Sequence, residues 1–349
     1  MNNNDILSHI IKCWNRNIPF AAFALPEESK LRLFVNPSYP EGYGERFIIS
    51  PWLADFESSI SIYNEIDPVT IDSVDIQGSP ENTMFPIPTE STVKAEYVMR
   101  LSELILKLKE DGRKTVISRV ICGDTGNLDL YKFISLRFKH YPSTFRFVFY
   151  TPETGLWIGT SPEELLSYDK NTERFSISSL AGTKKVQVKQ DWDAKNIMEQ
   201  SMVSRYIGDV LSGFGIKYIS KICNDVSFHP VVHRCHRFFG YMKEGIIPQL
   251  LDSLSPTPAL CGFPKDAAIR DINDVEHFNR CCYGGYIGYE SNNNLILYVN
   301  LRSIMFAGDR YAIYAGGGIT GASNAEREWE ETASKSETML ADLSQYMVD

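Results

Sequence analysis

Apolar residues recur along this chain at two spacings, and the spacing changes from stretch to stretch. Residues 5 to 15 repeat at helical intervals and predict a short amphipathic helix. Three strand-like runs follow, FAAFALP, LRLFVNP and RFIISPW, punctuated by Pro and Gly. From Asn64 to Glu90 the chain turns to Asp, Pro, Ser and Asn, which predicts a long connection or excursion from the packed body. Val93, Tyr97, Leu101, Ile105 and Leu108 then mark one face of a helix that stops at Asp111-Gly112. The strand Arg113 to Arg119 alternates, so Lys114, Val116 and Ser118 share one face while Thr115 and Ile117 share the other. A helix near 129 to 140, hairpin-like strands at RFVFYTP and Gly155 to Gly159, and a strand FSISSLAGT ending at Ala181-Gly182-Thr183 come next. Residues 191 to 211 form a long helix with Glu199, Val203, Tyr206 and Val210 on one stripe, and Val231 to Gly240 reads as a strand. No internal repeat, heptad series or low-complexity tract interrupts this order.

The last element is AGGGITGASNAEREWEETASKSETM, a Gly-rich turn that runs into a carboxylate-laden helix. Ser323 followed by Glu326 reads as a capping box and starts that helix near Asn324. Glu328, Glu331 and Lys335 fall on one stripe that continues as Met339, Leu343 and Tyr346, so two acids point where core residues point. Inward carboxylates are costly to bury unless a cation or donors meet them, which favours a metal. Acids in a first turn also suit the helix dipole, and Glu331 can pair with Lys335 at i+4, so a solvated face is the other reading. The same question attaches to Glu199 on its apolar stripe and to Lys114 beside Val116 and Ser118. A lysine in apolar surroundings can act as a general base, whereas most strand lysines snorkel to solvent.

Composition narrows the class. With 349 residues and 43% hydrophobic content the chain can bury a large core. A net charge of −9 without any basic block disfavours a nucleic-acid partner, so an anionic substrate must be met by a few placed cations. Seven cysteines, an odd number without a CxxC pair, suit a reducing compartment. The N-terminus has no basic leader, and no apolar run approaches the ~18 residues of a membrane span, which makes the cytoplasm the expected location and a membrane partner unexpected. His233 and His236 lie on opposite strand faces, so a two-histidine metal site is not expected there, and each reads as a satisfied core or rim histidine.

Taken in order, the motifs resemble the chorismate-utilising enzymes, the family of isochorismate synthase, salicylate synthase and the large subunits of anthranilate and aminodeoxychorismate synthase. The strings are Lys114-Thr-Val-Ile-Ser-Arg119, Thr160-Ser-Pro-Glu163, Leu180-Ala-Gly-Thr183, Pro256-Thr-Pro-Ala-Leu-Cys-Gly262, Tyr283-Gly-Gly285, Arg302-Ser303, Gly316-Gly-Gly-Ile319 and Glu328-Trp-Glu-Glu-Thr-Ala-Ser-Lys335. The resemblance runs from about Lys114 to the C-terminus. It implies an α/β (α+β) fold in which two antiparallel sheets pack together under outer helices as a single domain over 1–349. Residues 1–90 would then be a variable N-terminal sector with a loop excursion, and 91–349 the catalytic core.

The resemblance also implies roles. Glu199, Glu328 and Glu331 would hold magnesium (Mg2+), some through water, and the ion would clamp the ring carboxylate of chorismate. Tyr283, Arg302, the amides of Gly316 and Gly318, and Lys335 would hold the other carboxylate and the rim, with Thr183 lining the site. Lys114 matches the base that activates water for attack at C2, and Glu163 the acid that protonates the departing C4 hydroxyl. Water is a poor nucleophile and hydroxide a poor leaving group, so such a reaction needs Lys114 neutral and Glu163 protonated. Departures from the family pattern are Asn196 and Gln200 on the metal helix, Ser255 before Pro256, and His236.

Within the family, Lys114 favours water as nucleophile over ammonia, and Ala181 stands where aminodeoxychorismate synthases tend to have lysine. The resemblance therefore points to isochorismate synthase, an isomerase serving menaquinone or siderophore synthesis, with no obligatory glutaminase partner. Salicylate synthase, which also eliminates pyruvate, is the alternative; an aminating synthase or a non-catalytic chorismate-binding regulator fits less well.

Overall fold

Strict alternation of side chains along long strands decides the architecture. In the computed structural model, which describes residues 3–35, 44–63, 87–186, 191–228 and 231–348, the chain opens with helix α1 (Asn3–Asn15) and strands β1 (Phe20–Ala24), β2 (Arg32–Val35), β3 (Arg46–Ser50) and β4 (Ile60–Tyr63). The excursion expected at Asn64 to Glu90 lies for the most part outside the described residues. Helix α2 (Lys94–Asp111) leads to β5 (Lys114–Asp124), the short β6 (Asn127–Leu128), α3 (Leu130–His140), β7 (Phe145–Thr151), β8 (Gly155–Ser161), β9 (Glu164–Asp169) and β10 (Arg174–Lys185). Helix α4 (Ala194–Gly213) is followed by β11 (Tyr218–Ile222), β12 (Val226–Phe228) and β13 (Val231–Tyr241), then α5 (Ile247–Leu254), β14 (Gly262–Phe263) and α6 (Lys265–Val275). The chain closes with β15 (Tyr286–Glu290), β16 (Asn294–Val299), β17 (Ser303–Ala307), β18 (Arg310–Thr320), α7 (Ala325–Ser344) and β19 (Met347–Val348).

The strands form two large sheets whose pairings are all antiparallel. One runs in the order β14-β5-β18-β17-β8-β7-β1-β2, the other β11-β13-β10-β9-β16-β15-β3-β4, with β12 on β13. The two inner faces meet in an aromatic layer that draws Phe23, Phe145, Phe147, Phe149, Trp157 and Tyr314 from the first sheet and Phe47, Tyr289 and Tyr298 from the second. Phe145 stacks on Tyr298 across the layer at 4.5 Å. The alternate residues of the same strands, such as Val148 and Ile158, turn outward beneath α1, α3 and the end of α7. Helices α4 and α5 cover the outer face of the second sheet, and α2, α6 and the start of α7 cover the β5 end of the first. The expected architecture of two packed antiparallel sheets under outer helices is the one found. No helix among the described residues is long and apolar enough to cross a membrane, and all seven cysteines are free thiols.

Three local expectations need correction. The glycine run is not a turn but the end of β18, and the turn comes only at 321–323. The cap of α7 is Asn324, which accepts from Arg327 N at 3.1 Å; Ser323 instead accepts from Thr320 N at 3.2 Å and closes the preceding turn. The Asn324 side chain, one residue nearer the helix, meets the free amide, so the capping box does not form. In α2 the buried stripe is Tyr97, Leu101, Leu104 and Leu108, because Val93 is the exposed residue before the first turn. Its end is as expected, with Gly112 left-handed (φ 65°) and its N–H on Leu108 O at 3.0 Å.

Phe147 is fully buried in the aromatic layer between Phe145 and Phe149, with 6.0 Å between ring centroids on each side. Phe147→Ala should cost ~3–5 kcal/mol, read as a lower urea midpoint. A loss below about 1 kcal/mol would mean that this layer is not close-packed.

Candidate active site

The pairing of β5 with β18 runs unbroken from Arg310↔Asp124 to Thr320↔Lys114, whereas β17 leaves β18 at Ile313. Beyond that point one edge of β18 has no strand partner among the described residues, and the glycine run occupies it. Lys335 Nζ takes one free group on this edge, the Gly316 carbonyl, at 2.9 Å. In a strand the N–H and C=O of one residue face the same edge, so the amides of Gly316 and Gly318 face it too. Glycine is required here by crowding. A Cβ at Gly318 would collide with the Glu199 carboxylate and with Lys114 Cε, and one at Gly316 would lie 2.8 Å from Ser118 Oγ. At Gly317, on the opposite face, it would come 3.2 Å from Glu328 Oε2.

A cavity of about 100 Å³ opens beside this edge, and Glu163, Glu199, His233, Tyr283, Arg302, Gly316, Gly318 and Lys335 all line it. Glu163 follows β8 and is buried, and its carboxyl accepts from Leu180 N–H. Burial dominates over that bond and over the nearby Lys114, and pushes the acid up to about 8. Lys114 is fully buried one layer behind the wall, its Nζ 2.9 Å from Glu199 Oε1. The pair is close in charge but lacks hydrogen-bond geometry, since Nζ has no well-directed acceptor. Removing Glu199 would leave the buried Lys114 without its partner, which typically costs ~3–5 kcal/mol.

Cations gather at the other end. Arg302 sits in a left-handed backbone conformation (φ 52°), and burial together with Arg137 pulls its guanidinium down to about 10. His233 Nδ1 lies 3.2 Å from the Gly182 carbonyl, an obligate acceptor, so the ring proton is on Nδ1 and Nε2 accepts from Arg302 Nη2 at 3.2 Å. Burial, then Arg302 and Lys335, push this imidazole down to about 3, so it stays neutral. Burial lowers Lys335, but Glu331, 2.8 Å away, and Glu199 more than offset it and leave the ammonium above its usual range. Tyr283 stacks on Tyr314 at 5.3 Å, and burial raises its phenol, which keeps it a neutral donor.

Of the three expected metal acids only Glu199 lines the cavity. Glu331 points at Lys335, and Glu328, 2% exposed, lies beneath Gly317. No three His, Cys, Asp or Glu side chains stand together as a ready metal cluster among the described residues. The donor set nevertheless fits magnesium in type, being hard carboxylate oxygen, and in charge, because the fields of both Glu199 and Glu331 act on one cation, the Lys335 ammonium. Thr183 pairs with His233 in the β10–β13 register, but its side chain lies outside the described residues, as does His229.

Several residues that shape the site did not stand out in the sequence. Arg137, 1% exposed, donates to Asp342 at 2.6 Å, to Thr160 Oγ1 at 2.9 Å and to the Arg302 carbonyl at 3.4 Å. Its signal was available: a cation among Phe133, Ile134 and Phe138 on the buried face of α3. Glu276 and Arg280 form a buried pair that clamps β5, Glu276 accepting Ser118 N at 2.6 Å and Arg280 donating to Val116 O at 2.9 Å. Gln200, read only as a departure, accepts Ala181 N at 2.8 Å and donates to Ser179 Oγ at 2.9 Å. It holds the β10 bulge at Gly182 (φ 74°) that presents the carbonyl to His233.

Known proteins resemble this chain in sequence and in fold. Isochorismate synthase EntC of Escherichia coli is 29% identical over 286 residues, 78% of this chain and 70% of that protein. Anthranilate synthase component 1 of Acetivibrio thermocellus is 29% identical over 258 residues, 68% of this chain and 51% of that one. The solved structure of MenF, the menaquinone-specific isochorismate synthase of Escherichia coli, superposes with a TM-score of 0.75 at 17% identity, over 94% of this chain and 89% of that one, a likeness of fold. A family model described as "Chorismate binding enzyme" matches residues 71–344, a span that holds the acid, the lysines, the glycine edge and the cavity between them, and the chain belongs to that family.

Proposed function

We propose that this protein is an isochorismate synthase, which adds water at C2 of chorismate and expels the C4 hydroxyl with magnesium bound. The observation that carries the reading is Glu163, a buried acid pushed up to about 8 within the field of the buried Lys114. Such a pair sets a proton donor on the cavity and a base one layer behind its wall, the two groups that an exchange of hydroxyl groups on a ring demands. EntC, named an isochorismate synthase, supports the choice within the family.

Each residue then has a task. Arg302, oriented by neutral His233, and Lys335 receive a substrate carboxylate, Tyr283 donates from the rim, and the Gly316 and Gly318 amides add uncharged donors. Because His233 offers Arg302 only a lone pair, it orients the guanidinium without a competing charge. Glu163 gives its proton to the leaving hydroxyl oxygen. Lys114 takes a proton from the attacking water once Glu199 has turned from it towards its other task. Glu199 and Glu331, with Glu328 behind them, would hold a magnesium ion, which supplies Lewis-acid neutralisation of a carboxylate.

The direct test is proton NMR of chorismate with the protein and magnesium. A mixture of chorismate and isochorismate in comparable amounts is expected, since the reaction moves one hydroxyl around a diene ring. Steady conversion to salicylate and pyruvate would replace the isomerase reading by the salicylate synthase one.

Glu163→Gln should keep the fold and lose ~10²-fold or more of turnover, because a positioned proton transfer contributes that much. The wild type should lose activity as pH rises through about 8, since the acid form is complete below that value and gone above it. Retention of more than about a tenth of turnover in Glu163→Gln would remove the acid role.

Glu331→Ala should abolish magnesium-dependent chorismate binding in a calorimetric titration. Undiminished binding would return Glu331 to an ordinary partner of Lys335.

A further inference from the structure

Cys223 and Cys235 face each other across neighbouring strands. The β11–β13 register pairs Ile222 with His236, and its next step sets Cys223 opposite Cys235, where Cys223 N donates to Cys235 O at 2.9 Å. Directly opposed residues of an antiparallel pair have Cα atoms ~4.5–5.5 Å apart, inside the ~4.4–6.8 Å that a disulfide spans. Both thiols are free, and Cys223 packs against Cys235. Cys223 is half-exposed and Cys235 buried.

The same row leads into the site. Leu180 is the register partner of Cys235 on β10 and packs against it. Leu180 also lines the cavity, and its N–H holds the Glu163 carboxyl. Leu180 thus links the thiol pair to the buried acid.

We propose that Cys223 and Cys235 are an oxidisable dithiol that a peroxide converts into a cross-strand disulfide, and that this bond lowers turnover by shifting Leu180 against Glu163. The Cys223 sulfur attacks the peroxide O–O bond, giving a sulfenic acid and one water (or alcohol). The Cys235 sulfur then attacks the sulfenic sulfur, forming S–S and releasing a second water. In sum two thiols lose two electrons and two protons, and the peroxide is reduced. Burial, then the Cys223 thiol beside it, push Cys235 up to about 11, so the half-exposed Cys223 meets the oxidant first. Closure replaces a non-bonded sulfur contact by a bond of ~2.05 Å, which draws β13 and its neighbour Leu180 towards the β11 edge.

The experiment treats the native protein with hydrogen peroxide, blocks remaining thiols, digests with trypsin without reductant and maps the peptides by mass spectrometry. The expected product joins the peptide from Ile222 to Arg234 with that from Cys235 to Arg237, and Cys223→Ser abolishes it without changing the melting temperature. Two alkylatable thiols after treatment, or over-oxidised Cys223 with no cross-link, would overturn the site. The activity arm rests on the isochorismate synthase reading. Turnover of chorismate should fall about tenfold or more, as expected for a displaced proton donor, and return with dithiothreitol in the wild type, while Cys223→Ser is insensitive. A bridge that leaves turnover unchanged would overturn the link to Glu163. A reduced wild type that does not turn over chorismate would instead sink the functional reading, and the peptide map would still judge the thiol pair.

Discussion

The long pairing of β5 with β18 is the constraint on which the site depends. It fixes Lys114 opposite Thr320 and Ser118 opposite Gly316, and so sets the buried lysine under the glycine edge. That edge must be free of Cβ atoms, because Lys114 and Glu199 approach Gly318 on one face while Glu328 approaches Gly317 on the other. Three consecutive glycines weaken a strand through lost packing and entropy. The cost is met where β18 is held on its other side by eleven successive partners on β5. The strand is thus strong enough to carry a bare stretch, and the bare stretch lets charged groups reach a backbone that would otherwise be covered.

The chemistry follows from burying charges in groups that compensate unequally. Glu163 has burial acting on it with only a lysine and one amide in opposition, so it retains its proton to about 8. Lys335 has two acids against the same burial and remains charged. His233 has two cations beside it and becomes a neutral acceptor. One small cavity therefore holds a proton donor, a fixed cation and an uncharged hydrogen-bond acceptor. The shift of each from its ordinary value comes from burial and from the neighbours other elements bring.

Groups outside the cavity hold this arrangement. Arg137 joins α7, through Asp342, to Thr160 and to the carbonyl of the left-handed Arg302. The Glu276–Arg280 pair reaches β5 from the far side, with Arg280 lying 4.3 Å over the Trp52 ring. Both are buried ion pairs, which contribute modestly to stability when intact and are expensive to break. Their value is geometric, since guanidinium forks satisfy several carbonyls at once in fixed directions.

The sequence by itself determined the runs of strand and helix and singled out several charged residues of the cavity, while the two packed sheets under outer helices were what its resemblance to the chorismate-utilising enzymes implied. The runs follow from period-two and period-3.6 patterns, and the charged residues from their places on apolar stripes. Lys114, Glu199 and Glu331 were legible for that reason, and Arg137 on the buried face of α3 obeys the same rule. Only the tertiary structure decided what each charge meets. That Glu199 rests on Lys114 and not beside Glu331, that Arg302 leans on His233 rather than standing alone, and that the glycine run is a strand edge and not a turn all depend on sheet register and helix docking. These are contacts between residues tens to hundreds of positions apart. A pattern of spacing along one element fixes the direction of a side chain, but its ionisation and its partner are set by what another element delivers to that point.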